Sequence, residues 1–476
     1  MSVPTARRGL AAALAAVALL VFPASAAAHG IAQRADLPIP QWLFAWGAAL
    51  VLLVSFAALA LLWPQPRLAA AGERPLLRLP RGADVAGGAI GVLAFAAVVY
   101  AGLTGSQTAT ANLAPTAVFV IFWVGIPVLS VAFGDVFAAI NPWRAAARAT
   151  SALANRLGPG RAADPMPYPE RLGRWPAAAG ILLFTWFELV STSRDDPSTL
   201  ALLALSYAAI MLVGMALYGI EPWTRNADAF AVTFGLFALL SPLRWEARRA
   251  HLRIPLAGAL GMPAGAGSVA LVCVLIGTTS FDGFSQGAIW TGTNGLAERF
   301  TSAFADLGLG RELAVQAAYS AGMAAVVLLV CGLYRLGVAG MARAGGERDP
   351  AQLARRFAHT LIPIALAYMV AHYFSLLIFQ GQAVSYLASD PLGQGSDIFG
   401  TASSTIDYGL ISATGIWYVQ VAALVIGHVA GLVLAHDRAL ATWPDQRRAT
   451  RSQYWMLAVM IAFTSLGLWL LSAASQ

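Results

Sequence analysis

One pattern governs this chain: runs of about 20 apolar residues, nearly free of charge, recur along its length between short polar stretches. A helix of that length covers the roughly 30 Å hydrocarbon core of a bilayer. Inside hydrocarbon, only a helix or a closed barrel satisfies its own backbone hydrogen bonds. Such runs lie at roughly 41–63, 86–104, 116–139, 175–193, 199–219, 267–281, 313–335, 358–379, 415–435 and 453–473. They predict an all-α fold, a polytopic membrane helical bundle of about ten transmembrane helices. The sixth run is short, and its far end can continue through Ser280–Gly283. Residues 228–241 are apolar but too short to cross, which suits a re-entrant or interfacial helix.

Charge supports that reading. Only 11% of the residues are charged, against about 25% in a soluble domain, which excludes a soluble enzyme and a disordered chain. A net charge of +7 raises the question of nucleic acid. All 30 basic residues are arginine, and their placement answers it. Apart from Arg7 and Arg8 near the start and Arg34, Arg194, Arg299 and Arg311, every arginine falls in loops 64–85, 140–174, 220–266, 336–357 and 436–452 or at their edges. By the positive-inside rule those loops face the cytoplasm, and loops 105–115, 194–198, 282–312 and 380–414 face outward. The partner implied is the lipid bilayer, with no nucleic acid. The location expected is a bacterial cytoplasmic (inner) membrane, with both mature ends outside.

Residues 1–28 read as a signal peptide: a basic start at Arg7-Arg8, an apolar stretch and an alanine-rich cleavage region. Cleavage after Ala28 leaves His29 as the amino terminus; cleavage after Ala26 and an uncleaved first helix are the alternatives. The remainder, 29–476, forms a single integral membrane domain. Cys273 and Cys331 sit in separate apolar runs and read as small hydrophobes, with no disulfide framework.

Ionisable groups in hydrocarbon cost about 2.5–3.5 kcal/mol each on insertion scales, so those that persist need a partner or a task. Glu188, Asp282 and His372 lie towards the outer ends of their spans, Gln420 enters from the same side, and His428 lies deeper. A terminal His29 would join this group, its α-amine and ring nitrogen forming a chelate suited to copper. A carboxylate beside the histidines would favour zinc. His372 and His428, on consecutive spans, equally suit a proton relay or helix-to-helix hydrogen bonding. The outer loop 380–414 carries Gln380, Gln382, Asp390, Asp397 and Asp407 without a basic residue, and reads as a lid, a cation binder or a solvated acidic loop.

On the inner side, Asp135, Asn141-Pro142-Trp143-Arg144, Glu221-Pro222-Trp223 and His436-Asp437-Arg438 read as structural anchors, with Asp135 pairing Arg144 or Arg148. A faint echo relates Asp135…Asn141-Pro142 to Asp228…Ser241-Pro242. There is no glycine-rich phosphate loop, HExxH, Gly-x-Ser-x-Gly or CxxC motif.

Several stretches together resemble the bacterial multi-pass membrane proteins known as fenitrothion hydrolases. They are Ala28-His29-Gly30, the segment from Asp36 to Phe44, Gly134-Asp135 through Arg144, Ser280 through Phe284, and Ala371-His372 with the four residues after it. Ser389-Asp390, Tyr418 through Gln420, Gly427-His428 and Ala435 through Arg438 complete the set. The resemblance implies a membrane-bound hydrolase of organophosphorus triesters. Attack on a neutral triester needs an activated hydroxide, most readily made on a metal. In that reading His29 and His372 are metal ligands, Glu188 and Asp282 serve as ligand or base, and His428 is a relay. Gln380, Gln382 and Gln420 contact an apolar small-molecule substrate. The other classes in play are a copper- or zinc-binding protein and a small-solute transporter.

Overall fold

The computed structural model describes residues 41–69, 72–157 and 164–473. The signal-peptide reading and His29 lie outside the described residues. The longer helices, numbered in chain order, are α1 (Gln41–Leu62), α2 (Ala83–Thr104), α3 (Leu113–Phe133), α4 (Pro142–Leu157), α5 (Trp175–Val190) and α6 (Pro197–Tyr218). They continue as α7 (Ala229–Ala238), α8 (Ser268–Ser285), α9 (Arg311–Gly345), α10 (Ile362–Gln380), α11 (Ala413–Thr442) and α12 (Tyr454–Ala473). The fold is an all-α bundle, and each of the apolar runs forms a helix.

Among the described residues, 7 helices are both long and apolar enough to cross a membrane: α2, α3, α6, α8, α9, α11 and the Pro350–Ser389 stretch that contains α10. Trp46–Leu62 and Trp175–Val190 are shorter apolar helices. Helix α3 is wound as a π-helix over Thr116–Gly125 and stops at Gly134, whose φ of +84° turns the chain away.

Helix α8 is the axis of the bundle. Of its apolar window, 83% is buried, because α5, α9, α10 and α12 all pack on it. It runs on through Ser280–Gly283 to Ser285, which brings Asp282 into the bundle. Small residues set the close crossings. Gly427 of α11 lies so near α10 that a Cβ there would meet Ala367 Cβ at 2.3 Å and Pro363 O at 2.7 Å. Cys273 of α8 and Cys331 of α9, isolated hydrophobes in the sequence, face each other thiol to thiol as free cysteines.

Helix α7, the short apolar segment, is buried on nearly every side within the bundle. Its Phe230 and Phe234 interlock with Phe122, at ring-centroid distances of 4.8 and 5.2 Å. Asp228 caps α7, accepting from Ala231 N at 3.0 Å, and also accepts from Asn141 Nδ2, Trp143 Nε1 and the Tyr207 hydroxyl. Asp135 caps its own short helix, Val136–Ile140, through Ala138 N at 3.0 Å. The two echoed segments therefore share a capping device, and the first supplies hydrogen bonds to the second. The expected pairing of Asp135 with Arg144 or Arg148 does not form. Both arginines bind Glu221 instead, each at 2.8 Å, because Glu221 stands beside α4 while Asp135 is turned to its own helix amides.

The same arginine-rich face carries a small antiparallel sheet of β1 (Arg74–Arg78), β2 (Leu243–Glu246) and β3 (Arg249–Leu252), ordered β1-β3-β2. The β2–β3 turn is Ala247-Arg248, with φ of 45° and 66°. A two-residue hairpin turn of this hand normally announces itself through asparagine or glycine, so the strands are hidden in the sequence.

Replacing Gly427 by leucine should force α10 and α11 apart, at the cost of about 1–3 kcal/mol or more typical of overpacking. The melting temperature of purified protein in detergent reads it; an unchanged value would contradict the crossing described.

Candidate functional site

Three helices bring ionisable side chains together in the arginine-poor half of the bundle. Glu188 lies in the last turn of α5, Asp282 in the last turn of α8, and His372-Tyr373 in the second half of α10. His372 Nε2 lies 2.6 Å from Asp282 Oδ2. The Tyr373 hydroxyl lies 3.3 Å from the same Asp282 oxygen and 3.2 Å from Glu188 Oε1. The result is one chain: Glu188, Tyr373, Asp282, His372.

A phenol has a single proton to donate. Both of its carboxylate contacts become hydrogen bonds when a second proton sits on one carboxyl group and is donated back to the phenol oxygen. The arrangement is therefore built to share and move protons. Glu188 Oε2 is buried with no hydrogen-bond partner among the described residues, leaving one further position in the chain. Trp123 of α3 stands beside Tyr373, its indole nitrogen buried without a hydrogen-bond partner among the described residues, and Gln286 stands beside Asp282.

His372 is the more accessible of the pair, its side chain 26% exposed against 11% for Asp282. Gly283 adjoins the ring: a Cβ there would stand 3.8 Å from His372 Nδ1, so a larger, branched side chain is needed to crowd it. Phe281 and Phe284 pack on Trp290 at 5.3 and 5.7 Å and close the neighbouring side with an apolar wall.

Of the residues expected from the sequence, Glu188, Asp282 and His372 thus converge. His428 does not join their hydrogen-bond chain. It is buried on α11, its Nδ1 satisfied by the Leu424 carbonyl at 2.7 Å, and its ring lies 6.0 Å from that of Tyr368, one turn of α10 from His372. Gln420 sits two turns from His428 on the same helix, partly exposed, and Gln380 ends α10.

Gln382 has a different task. Its Oε1 accepts from Asp407 N at 3.0 Å and its Nε2 donates to Asp407 O at 3.2 Å, so it fastens the long loop to the end of α10. Among the described residues no group of three His, Cys, Asp or Glu side chains is placed to hold a metal ion, and His372 Nε2 is already turned to Asp282. The copper or zinc set depended on His29, outside the described residues.

Tyr373 carries the link between the carboxylates and was not assigned a role from sequence. Its one signal was adjacency to His372 in an otherwise apolar run.

The long loop is knit by its own side chains. Ser389 donates to Asp397 Oδ1 at 2.7 Å and accepts from Phe399 N, while Ala402 N donates to the same Asp397 oxygen. Asp390 accepts from the backbone of Gln394 and Gly395. Pro391 and Leu392 carbonyls accept from Leu113 and Ser106, tying the loop to the start of α3. These aspartates are occupied as loop fasteners.

Comparison of the chain with protein-family models, with curated proteins and with solved structures gave no match.

The Ser389 hydroxyl, and after it the Ala402 amide, hold the Asp397 carboxyl below its ordinary value. A group depressed in the folded state contributes order above its unfolded pKa and loses it as the pH falls through the folded one. Exchange protection of the Phe399 and Ala402 amides should therefore persist at neutral and mildly acidic pH and fail only below about pH 3.9. Hydrogen–deuterium exchange across that range checks this; loosening already at pH 6 would contradict it.

Proposed function

We propose that the chain is a membrane-embedded hydrolase in which His372, oriented by Asp282, acts as general base on an apolar ester. Organophosphorus triesters, the class implied by the resemblance, belong to that group. The observation that carries the reading is the 2.6 Å contact between His372 Nε2 and Asp282 Oδ2, with the His372 side chain 26% exposed at the bundle surface. A neutral imidazole that donates Nε2–H to a carboxylate keeps its lone pair on Nδ1. Nδ1 then takes a proton from water, and the hydroxide attacks phosphorus or carbonyl carbon. The imidazolium that forms is balanced by Asp282. The aryl oxide leaves, and the proton on Nδ1 goes to it or to solvent. Tyr373 and Glu188, reached through Asp282 on the Nε2 side, hold that carboxylate in place while the proton on Nδ1 leaves.

The distribution of arginine supports an orientation in which the arginine-rich face is cytoplasmic and the His372 side faces outward across a bacterial inner membrane, with both mature ends outside. An apolar ester would then reach the site by partitioning into the outer leaflet.

A second reading rests on a separate observation. A general base needs one carboxylate partner, whereas Tyr373 joins two, and the spare Glu188 oxygen is buried. Proton-coupled transport of a small solute would use that relay as it stands. Copper or zinc binding rests on His29 together with His372.

Purified protein in nanodiscs, assayed with an aryl phosphotriester, decides among these. Turnover should be abolished in His372→Gln and lowered about 10²–10⁴-fold in kcat in Asp282→Asn, with KM little changed. Gly283→Val, which crowds Nδ1, should lower kcat without touching the pair. Wild-type turnover at background, with solute-dependent proton uptake in proteoliposomes lost in Glu188→Gln, would overturn hydrolysis in favour of transport. Stoichiometric metal in the same sample, lost in His372→Ala, would support the metal reading.

A further inference from the structure

The opposite, arginine-rich face holds a feature that the acid–histidine chain leaves unexplained. Between α2, α4, α7 and the tip of the β2–β3 hairpin lies a cavity of about 1840 Å³. Small-molecule pockets occupy roughly 300–1,000 Å³, so this one suits something longer. One wall is apolar and belongs to the lipid-facing flank: Val85 and Leu93 of α2 line it, yet are 75% and 69% exposed. The cavity therefore runs out along α2 towards lipid instead of ending in the core. Ala145, Ala149 and Ala152 of α4 give the facing wall a smooth surface.

The lining also carries five arginines. Arg144 and Arg148 are held by Glu221. Arg174, Arg225 and Arg248 line the same space and have no acidic partner among the described residues; Arg174 reaches only the Ser268 hydroxyl, at 3.4 Å. Five arginines against Asp84, Asp135 and Glu221 leave the lining positive. Guanidinium groups present paired N–H donors that match phosphate oxygens.

We infer that this cavity binds an anionic phospholipid, its phosphate held by Arg174, Arg225 and Arg248 and its acyl chains laid along α2 and the alanine face of α4. The combination of an unpartnered arginine rim with an apolar wall open to lipid fits a phosphate-bearing amphiphile, and neither half alone would need one. The inference is independent of the hydrolase reading.

Native mass spectrometry of the full chain in detergent tests it, with phosphatidylglycerol and phosphatidylcholine as the lipids and inorganic phosphate as competitor. Phosphatidylglycerol should be retained about tenfold better than phosphatidylcholine, the worth of roughly one to two partnered arginines. The R174Q/R225Q/R248Q variant should lose that preference while keeping its melting temperature. Ala149→Trp, which fills the apolar wall and leaves every arginine in place, should lose retention of both lipids. Equal retention of the two lipids, a preference surviving the triple variant, or wild-type retention in Ala149→Trp would each overturn the inference. Displacement of the lipid by inorganic phosphate would also overturn it, making the site one for a free anion.

Discussion

The 2.6 Å contact between His372 and Asp282 is the interaction on which the polar half of this bundle depends. Neither group can stand alone in an apolar surrounding, because an unpartnered charge or polar atom there costs several kcal/mol. Their meeting ties α8, the most enclosed helix, to α10. Tyr373 then extends the tie to Glu188 on α5. Three helices are thus pinned at one level by four side chains, and the chemistry proposed for the site uses the same hydrogen bonds that hold it together.

A second polar hub stands on the other side of the aromatic core. Asp228 is fully buried and pairs with no cation among the described residues; Asn141, Trp143, Tyr207 and the first turn of α7 satisfy it instead. Because the hub caps α7, it fixes where that buried helix begins, and so shapes the large cavity that α7 helps to line. The two hubs differ: one holds a partly exposed histidine, the other is buried at Asp228 and caps α7.

Much of the fold was legible in the sequence because hydrocarbon leaves so few solutions. A run of 20 apolar residues has to be a helix, and each such run is one. The convergence of Glu188, Asp282 and His372 was legible for the same reason: rare, costly groups at similar depth tend to seek each other. What stayed hidden depended on local geometry that carries no composition signal. The Ala247-Arg248 turn adopts positive φ without glycine or asparagine. His428 turns its Nδ1 to its own helix, four residues back, and leaves Nε2 buried without a partner among the described residues. Gln382 spends its amide on the backbone of Asp407, a contact set by the path of the loop. Tyr373 was hidden because a tyrosine in an apolar helix usually signals an interface or a packed ring.

In the proposed mechanism Asp282 fixes His372 with its proton on Nε2 and a bare lone pair on Nδ1. Nitrogen-15 NMR of histidine-labelled protein in nanodiscs, with His372→Gln used to assign the resonance, reads the tautomer directly. The account predicts a protonated, hydrogen-bonded Nε2 in the neutral ring of the wild type and loss of that bias in Asp282→Asn. A neutral ring protonated on Nδ1, or a tautomer indifferent to Asp282, would contradict it.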